Sequence, residues 1–434
     1  MFQTSSDRMT KILHPLETNP EGLFENLPDK TSAENFRFFH ADEGKPLATP
    51  WQVAVARALA LQRYELPEGH LLDCACGSGI QIIAYSEILS KPIIAVELNE
   101  QRARASSVNF ANVFTQRGSN QNDRIAQSRV LAGDGCDAET IISQVNTELS
   151  GNVKISFLHL DPARPRNSRS HDISEMKPSL DQVFSGWHEY LQLLDGQPAI
   201  LLDLSPRLSN KQMLQVEKLV ENFWPNVGKT WTWTSRGKGR IDRLALWIGA
   251  ISEPDVNRRY VRILPEPTSQ PIEISGTLDI SGESQPYKQS NKMPQRQEYI
   301  SLIDAALCES GLAEIWLSQR LEDFSWAQID GRRPAIYHKN PLQRGVAEEF
   351  LIQSTGKIID IINQPLTLDT VDDFVETCIA NDFAKVTIRA SIEPQLQPKL
   401  QGSLDRQLSL RGGTRTGFIA KTPNYESFLL CLTN

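Results

Sequence analysis

The stretch LLDCACGSGIQIIAYSEIL, from Leu71 to Leu89, decides how the chain is read. An apolar run ends in Asp73, the chain turns through Ala75, Gly77, Ser78 and Gly79, and a helical pattern resumes at Gln81. Glycines let a backbone turn tightly and let a ligand come close, and the N-terminus of the next helix offers unpaired N–H groups. A nucleotide-like ligand fits such a turn. A loose D-x-x-x-G-x-G also suits a plain strand-to-helix connection, so the turn needs context.

The next apolar run, PIIAVEL, supplies it. An acidic residue about 20 residues beyond a glycine turn is where a ribose diol is held through its two hydroxyls, and Glu97 stands there. A dinucleotide site would carry the tighter G-x-G-x-x-G; here Ala75 occupies the first glycine position and the third glycine comes early, at Gly79.

From about Thr49 to Gly249, short apolar runs alternate with amphipathic stretches, which predicts a parallel sheet with crossover helices. The runs are HLLDCAC, PIIAVEL, SRVLAGD, KISFLHLD, PAILLDL, KTWTWTS and RLALWIG. Helices are expected at Trp51–Gln62, Gln81–Leu89, Glu100–Phe114, Ala138–Glu148, Pro178–Leu194 and Asn210–Phe223. The last two strands are joined only by RGKGRID, long enough for a hairpin loop. The expected class is α/β: a doubly wound, seven-stranded, Rossmann-like sheet whose last strand is reversed and forms an edge. Trp231 and Trp233, at period two, should face the core.

Four motifs then stand in order: DCACGSG, the acidic VELN, LAGDG with Asp134, and LDPAR. Their order and spacing resemble those of class I S-adenosylmethionine-dependent methyltransferases. The resemblance implies S-adenosyl-L-methionine as cofactor, with Asp73, Gly77 and Gly79 holding the methionine part, Glu97 binding the ribose and Asp134 accepting from the adenine amine. Ala75, Leu98 and Gly135 are the neighbouring cofactor positions. ATPWQVAVARA is similar to a T-P-x segment of some RNA methyltransferases, including trimethylguanosine synthases, and this brings Thr49 and Gln52 toward the cofactor. The C-terminal part resembles the THUMP-like domain of methyltransferases with the same D-P-A-R signature, above all across DFAKVTIRASIEPQLQPKLQGSLDRQLSLRGG.

Methyl transfer from a sulfonium is an in-line displacement, so the main task is to hold the acceptor near the methyl carbon. Asp161 and Pro162 leave a strand end, where open α/β sheets bind ligands. In the D-P-P-Y and N-P-P-Y relatives this motif receives the hydrogens of an exocyclic base amine, which makes Asp161, Pro162 and Arg164 the catalytic candidates. The chain departs from those relatives in two places: Ala163 replaces the second proline, and Arg164 replaces a stacking aromatic. A guanidinium can stack on a base or pair with phosphate, or simply be a surface charge. Enzymes that methylate carbon 5 of uridine also carry D-P-A-R, but they need a Cys-Pro thiolate. This chain has Ser205 and Pro206, and a hydroxyl is a far weaker nucleophile. Ser205 either shapes the acceptor pocket or begins a turn. His159 reads as a packed core histidine, and Cys74 and Cys76 as small packing residues.

At 434 residues the chain exceeds one ordinary core. It divides into an N-terminal arm (1–48), a cofactor-binding domain (49–250), a connecting segment (251–297) rich in Pro, Ser, Gln and Glu, and a small α+β domain (298–434) opening with a helix over Tyr299–Cys308. No window approaches the roughly 18 apolar residues of a membrane span, so no membrane partner and a cytoplasmic location are expected. The six cysteines form no C-x-x-C pair, which points to neither disulfides nor a metal site. A net charge of −8 opposes non-specific attraction to nucleic acid. Two basic segments stand against it, ARPRNSR (Arg164, Arg166, Arg169) and RGKGRIDR (Arg236, Lys238, Arg240, Arg243); each is a phosphate contact or a solvated loop. The leading expectation is a methyltransferase acting on a base in RNA. The alternatives are a small-molecule methyltransferase with a C-terminal lid and a non-catalytic nucleoside-binding regulatory protein. The oligomeric state stays open.

Overall fold

The computed structural model describes residues 10–26, 36–41, 48–118, 122–163, 172–266, 269–278, 289, 292–343, 345, 347–411, 413–423 and 426–433. The chain divides into two units. One comprises the residues up to Thr232 with Arg243–Asn257 and Pro265–Pro271; the other comprises Trp233–Asp242, Arg258–Leu264 and Ile272–Asn434.

The first unit runs β1 (Lys11–Leu13), β2 (Phe24–Asn26), β3 (Phe38–His40), α1 (Trp51–Leu61), β4 (His70–Asp73), α2 (Ile80–Leu89), β5 (Ile93–Glu97), α3 (Glu100–Arg117), α4 (Asn122–Gln127), β6 (Arg129–Ala132), α5 (Ala138–Leu149), β7 (Ile155–Leu160), α6 (Leu180–Trp187), β8 (Ala199–Leu204), α7 (Asn210–Phe223), β9 (Lys229–Ser235), of which Trp233 onward is assigned to the second unit, and β10 (Arg243–Gly249). Each apolar run read from the sequence holds a strand. The helices start where short polar side chains can accept from the first turn: Asn99 from Arg102 N, Asp137 from Thr140 N, and Ser209 in a capping box with Gln212.

The sheet order is β1-β6-β5-β4-β7-β8-β10-β9, with β6, β5, β4, β7 and β8 mutually parallel. β10 runs antiparallel to β8 and lies between it and β9. The reversed strand is therefore not an edge, as the sequence suggested. The reason is its composition: Leu244, Ala245, Leu246, Trp247 and Ile248 are all buried, and a strand apolar on both faces belongs inside a covered sheet. The N-terminal arm is not bare chain. β1 adds an antiparallel edge to β6, and β2 pairs with β3. Asn109 of α3 holds β3 through Phe39 N (2.6 Å) and Phe39 O (2.9 Å), and its amide also donates to Ser78 O on the glycine turn (2.8 Å).

In the second unit follow β11 (Arg258–Arg262), β12 (Ile272–Gly276), β13 (Tyr299–Ile303), α8 (Ala305–Glu309), α9 (Ala313–Ser318), β14 (Phe324–Gln328), β15 (Ala335–His338), β16 (Ile352–Ile362), α10 (Val371–Ala380), β17 (Phe383–Ile388), α11 (Gln397–Arg411), β18 (Arg415–Lys421) and β19 (Phe428–Thr433). Its sheet has the order β14-β15-β13-β16-β19-β18-β17, antiparallel except for the β17–β18 pair. Leu400, Leu404 and Leu408 of α11 and Phe374 and Cys378 of α10 pack on Val386 and Ile388 of β17.

The helix expected over Tyr299–Cys308 is instead a strand followed by the short α8. Ser301 points into the sheet, bonding His338 Nε2 (2.9 Å) and Thr355 Oγ1 (2.7 Å), and this period-two demand outweighs the helical propensity of the neighbours. Asp304 then caps α8, accepting from Ala306 N at 2.9 Å. The segment read as a connector holds the antiparallel β11–β12 pair, with Arg258, Arg259 and Tyr260 buried, and the RGKGR loop belongs to this second unit.

Candidate functional site

Asp73, Glu97, Asp134 and Asp161 come at the carboxyl ends of β4, β5, β6 and β7, where an open α/β sheet binds ligands. All four line a cleft of about 1340 Å³ within the first unit. A drug-sized ligand takes roughly 300–1,000 Å³, so the cleft has room for a nucleoside and a second molecule.

At the turn, Asp73 accepts from Ala75 N (3.0 Å) and fixes the loop. Gly77 has φ +56°, and a Cβ there would project into open space, so the backbone itself forms the cleft floor. Both oxygens of Glu97 are anchored: Gly77 N donates to Oε2 (3.0 Å) and Asn99 N to Oε1 (2.9 Å). Leu98 beside it is 61% exposed on the wall, an apolar surface suited to the flat face of a base. Also on the lining, Asp134 accepts from Cys136 N (3.0 Å), and Gly135 O accepts from Trp187 Nε1 (2.7 Å). A Cβ on Gly135 would overlap the Cys74 carbonyl, so glycine is required for β4 and the LAGDG turn to pass.

Two of the sequence candidates are not on the cleft wall. Gly79 (φ +80°) precedes α2, and a Cβ there would overlap the Ser106 hydroxyl of α3; its absence of side chain serves helix–helix approach. Gln52 likewise lies off the wall, whereas Thr49 is on it. Arg164, Arg166 and Arg169 lie outside the described residues.

Behind the turn runs a buried chain of charges. His159 Nδ1 bonds Asp73 Oδ2 (2.7 Å), and its Nε2 faces Asp203 Oδ2 (3.2 Å). Asp203 in turn receives both Nη atoms of Arg57 (2.7 and 2.5 Å), and Arg57 Nη1 also donates to Gln81 Oε1 (2.7 Å). Gln81 Nε2 donates to Asp161 Oδ2 (3.2 Å), closing a path from the glycine turn to the fourth motif. Burial alone would push the His159 pKa down, but Asp73 and Asp203 outweigh it and raise it to about 9. Burial would raise Asp203, yet Arg57 and His159 hold it well below the usual carboxylate range. His159 is buried as expected, and its two ring nitrogens face two carboxylates.

Asp161 is set differently. Its side chain is 37% exposed at the cleft, with the Arg243 guanidinium 4.0 Å away. Arg243 also donates to Thr49 Oγ1. Removal from water, and then the nearby Asp203 charge, raise the Asp161 carboxyl above its ordinary value, while Arg243 opposes the rise. Pro162 and Ala163 continue the wall, and Ala163 exchanges two 2.9 Å backbone bonds with Lys177.

Ser205 begins a turn, its Oγ accepting from Arg207 N (3.2 Å), and it is Pro206 that reaches the cleft. Cys74 and Cys76 are pushed far up by burial and then by Asp73, so both are thiols at neutral pH. Among the described residues no three His, Cys, Asp or Glu side chains are grouped to hold a metal, and no helix is long and apolar enough to cross a membrane.

Reading the sequence for motifs missed Arg57, Gln81 and Asp203, and it singled out Arg243 only as part of a basic segment, not as the neighbour of Asp161 and Thr49. A signal existed for three positions of the network: Arg57 in VAVARALA, His159 in ISFLHL and Asp203 in AILLDL are each polar residues in apolar runs, and a buried charge must find a partner.

No family model matches the chain, and no curated protein does. Solved structures resemble it weakly. A SAM-dependent methyltransferase from Agrobacterium tumefaciens is 11% identical with a TM-score of 0.32, covering 52% of this chain and 69% of that one. A 16S rRNA methyltransferase from T. thermophilus, solved with AdoMet and guanosine, is 13% identical with a TM-score of 0.32 and covers 52% of this chain; the chain spans half (50%) of that enzyme. A ribosomal protein methylase from Lactobacillus delbrueckii is 12% identical with a TM-score of 0.29, covering 52% of this chain and 98% of that one. Likenesses this weak assign no residue a role, and each name describes that protein alone.

Proposed function

We propose that the first unit binds S-adenosyl-L-methionine and transfers its methyl group to an exocyclic amine of a base in RNA. The observation that carries the reading is Glu97, whose two oxygens are fixed by backbone N–H groups beside an open glycine turn, at the place where a ribose diol is recognised. The cleft fits the cofactor: Gly77 leaves room for close approach, Leu98 offers an apolar wall, and Asp134, on the same lining, is an acceptor for an amine. Asp73, Ala75 and Gly77 would hold the methionine part, with Gly135 beside the adenine.

The cofactor supplies an electrophilic methyl group on a sulfonium. The chain does the rest by position. Gln81 orients Asp161 Oδ2, and Asp161 with the Pro162 carbonyl would receive the two hydrogens of the acceptor amine. A carboxyl raised above its ordinary value is better matched to taking up the proton that the amine sheds. RNA as acceptor rests on sequence resemblance: the D-P-A-R motif, and the likeness of the C-terminal segment to a THUMP-like domain. A small-molecule acceptor is the second reading, favoured by a cleft whose volume of about 1340 Å³ has room for a nucleoside and a second small molecule.

Titration calorimetry should show S-adenosylmethionine binding, and Glu97→Ala should weaken it by about 1.5–3 kcal/mol, the loss of a hydrogen bond to a charged group. Equal affinities would remove Glu97 from the site, and preferential binding of NAD would overturn the cofactor assignment. Asp161→Ala should leave that affinity nearly intact and slow methyl transfer by about tenfold or more, each tenfold being about 1.36 kcal/mol of barrier. Unchanged turnover would exclude Asp161. Modified nucleosides compared between a deletion strain and its parent would identify the acceptor base.

A further inference from the structure

β10 runs against the parallel strands, so it presents its first residue where they present their last. Leu244 pairs with Leu204 at the end of β8, and β8 lies beside β7. Arg243, which opens β10, therefore comes to the carboxyl end of the sheet, near the residues that leave β7. Its Nη2 is 4.0 Å from Asp161 Oδ2 and donates to Thr49 Oγ1, and all three residues line the cleft. Thr49 is 4% exposed and stands just ahead of α1. Gln81 Nε2 reaches the same Oδ2 (3.2 Å), and among the described residues no donor reaches Oδ1. The carboxylate is thus held by one oxygen and offers the other to the cleft.

We infer that Arg243 is a positioning residue for Asp161, held in place by Thr49, and that Thr49 serves the acceptor carboxylate through Arg243 rather than the cofactor. The reaction it serves rests on the methyltransferase reading above; the clamp on Asp161 does not. The chemistry needs the charge. As the amine nitrogen bonds the methyl carbon, the carbon–sulfur bond breaks, its electrons stay on sulfur, and a proton of the amine passes to Asp161. A carboxyl that is already protonated cannot take it. Removal from water and then the Asp203 charge favour the protonated form of Asp161, and Arg243 opposes them ahead of His159 and Arg57. Tyr85, whose hydroxyl donates to Gln81 Oε1 (3.2 Å), is the other titratable group of the network. Asp203 is held low, His159 titrates at about 9 and Tyr85 is raised by burial, so none of them changes charge over the acid range in which Asp161 does.

The test uses the full chain with aspartate Cγ isotopically labelled and follows the carboxyl signals by NMR as pH falls, with Asp161→Asn identifying the Asp161 signal. In Arg243→Gln that signal should titrate at higher pH than in the wild type, because the cation that favours the ionised form is gone. Arg243→Lys keeps the charge and should titrate close to the wild type. Thr49→Val should move the titration in the same direction as Arg243→Gln, by less, and leave S-adenosylmethionine affinity where it was; should Arg243→Gln not fold, Thr49→Val reads the same shift. Methyl transfer from tritiated S-adenosylmethionine to RNA of a deletion strain should follow: the acid limb of the rate profile moves up in Arg243→Gln, with a loss of roughly tenfold below the limb for each pH unit that it moves. A merely structural role would lower the rate at every pH alike. An Asp161 signal that titrates alike in the wild type and Arg243→Gln would overturn the proposal, as would Thr49→Val weakening cofactor binding while leaving that titration in place. A wild type that binds no S-adenosylmethionine would strike the methyltransferase reading, whereas the Asp161 titration decides the clamp in either case.

Discussion

Asp203→Ala is expected to destabilise the first unit by about 3–5 kcal/mol, the cost of removing one partner from a buried ion pair. Asp203 is buried on β8, where it receives both Nη atoms of Arg57 and faces Nε2 of His159. Removing it leaves the Arg57 guanidinium and the His159 imidazolium in an apolar interior, with Gln81 and Asp73 as their remaining partners in the network. The damage should come from the stranded charge more than from the emptied volume. Arg57→Met/Asp203→Leu, which removes both members of the pair, should therefore recover more than half of the loss. Urea unfolding, read with amide exchange in β7 and β8, checks both; equal losses in the single and double variants would refute the charge argument. Because Gln81 links Arg57 to Asp161, the single variant should also slow methyl transfer more than it weakens cofactor binding.

The second large effect is on pH. His159 titrates at about 9 in the folded chain, against about 6.5 for an unperturbed histidine. A raised pKa means the folded state holds the proton more tightly, so this stabilisation is complete below about pH 6.5 and is lost as pH rises through 9. A shift of this size is on the order of 3 kcal/mol. The other charged groups facing the ring are Asp73 and Asp203, and Tyr85 packs edge-on with its centroid 5.3 Å away. Asp203 is held low and Tyr85 is raised by burial, so neither titrates across that window. The thermal midpoint of the wild type should fall between about pH 7 and 9.5, and His159→Gln should flatten that decline. A flat wild-type profile would mean that the imidazole is neutral. Cofactor affinity should follow the same slope, because the His159 proton orients Asp73 beneath the glycine turn.

The gathering of four carboxylates in one cleft was legible because each stands at the end of an apolar run. Asp73 and Glu97 close β4 and β5, Asp134 and Asp161 are the first acidic residues after β6 and β7, and a parallel sheet gathers such positions at one edge whatever the loops do. Gly77 and Gly79 looked equivalent in the sequence, yet only Gly77 faces the cleft, since the direction of a glycine's missing side chain depends on what packs behind it.

What the sequence determined by itself is local: strand and helix positions follow from periods of two and 3.6, helix starts from capping residues, and the turn from glycine. The tertiary structure alone decided the rest. It placed β10 inside the sheet, made a strand of Tyr299–Ile303, paired Arg57 with Asp203 across 146 residues, and laid the RGKGR loop against Arg332. These outcomes share one physical cause. They depend on which distant surfaces bury one another and which buried charges then find a partner, and neither the apolar period nor a short motif encodes how segments so far apart in the chain meet.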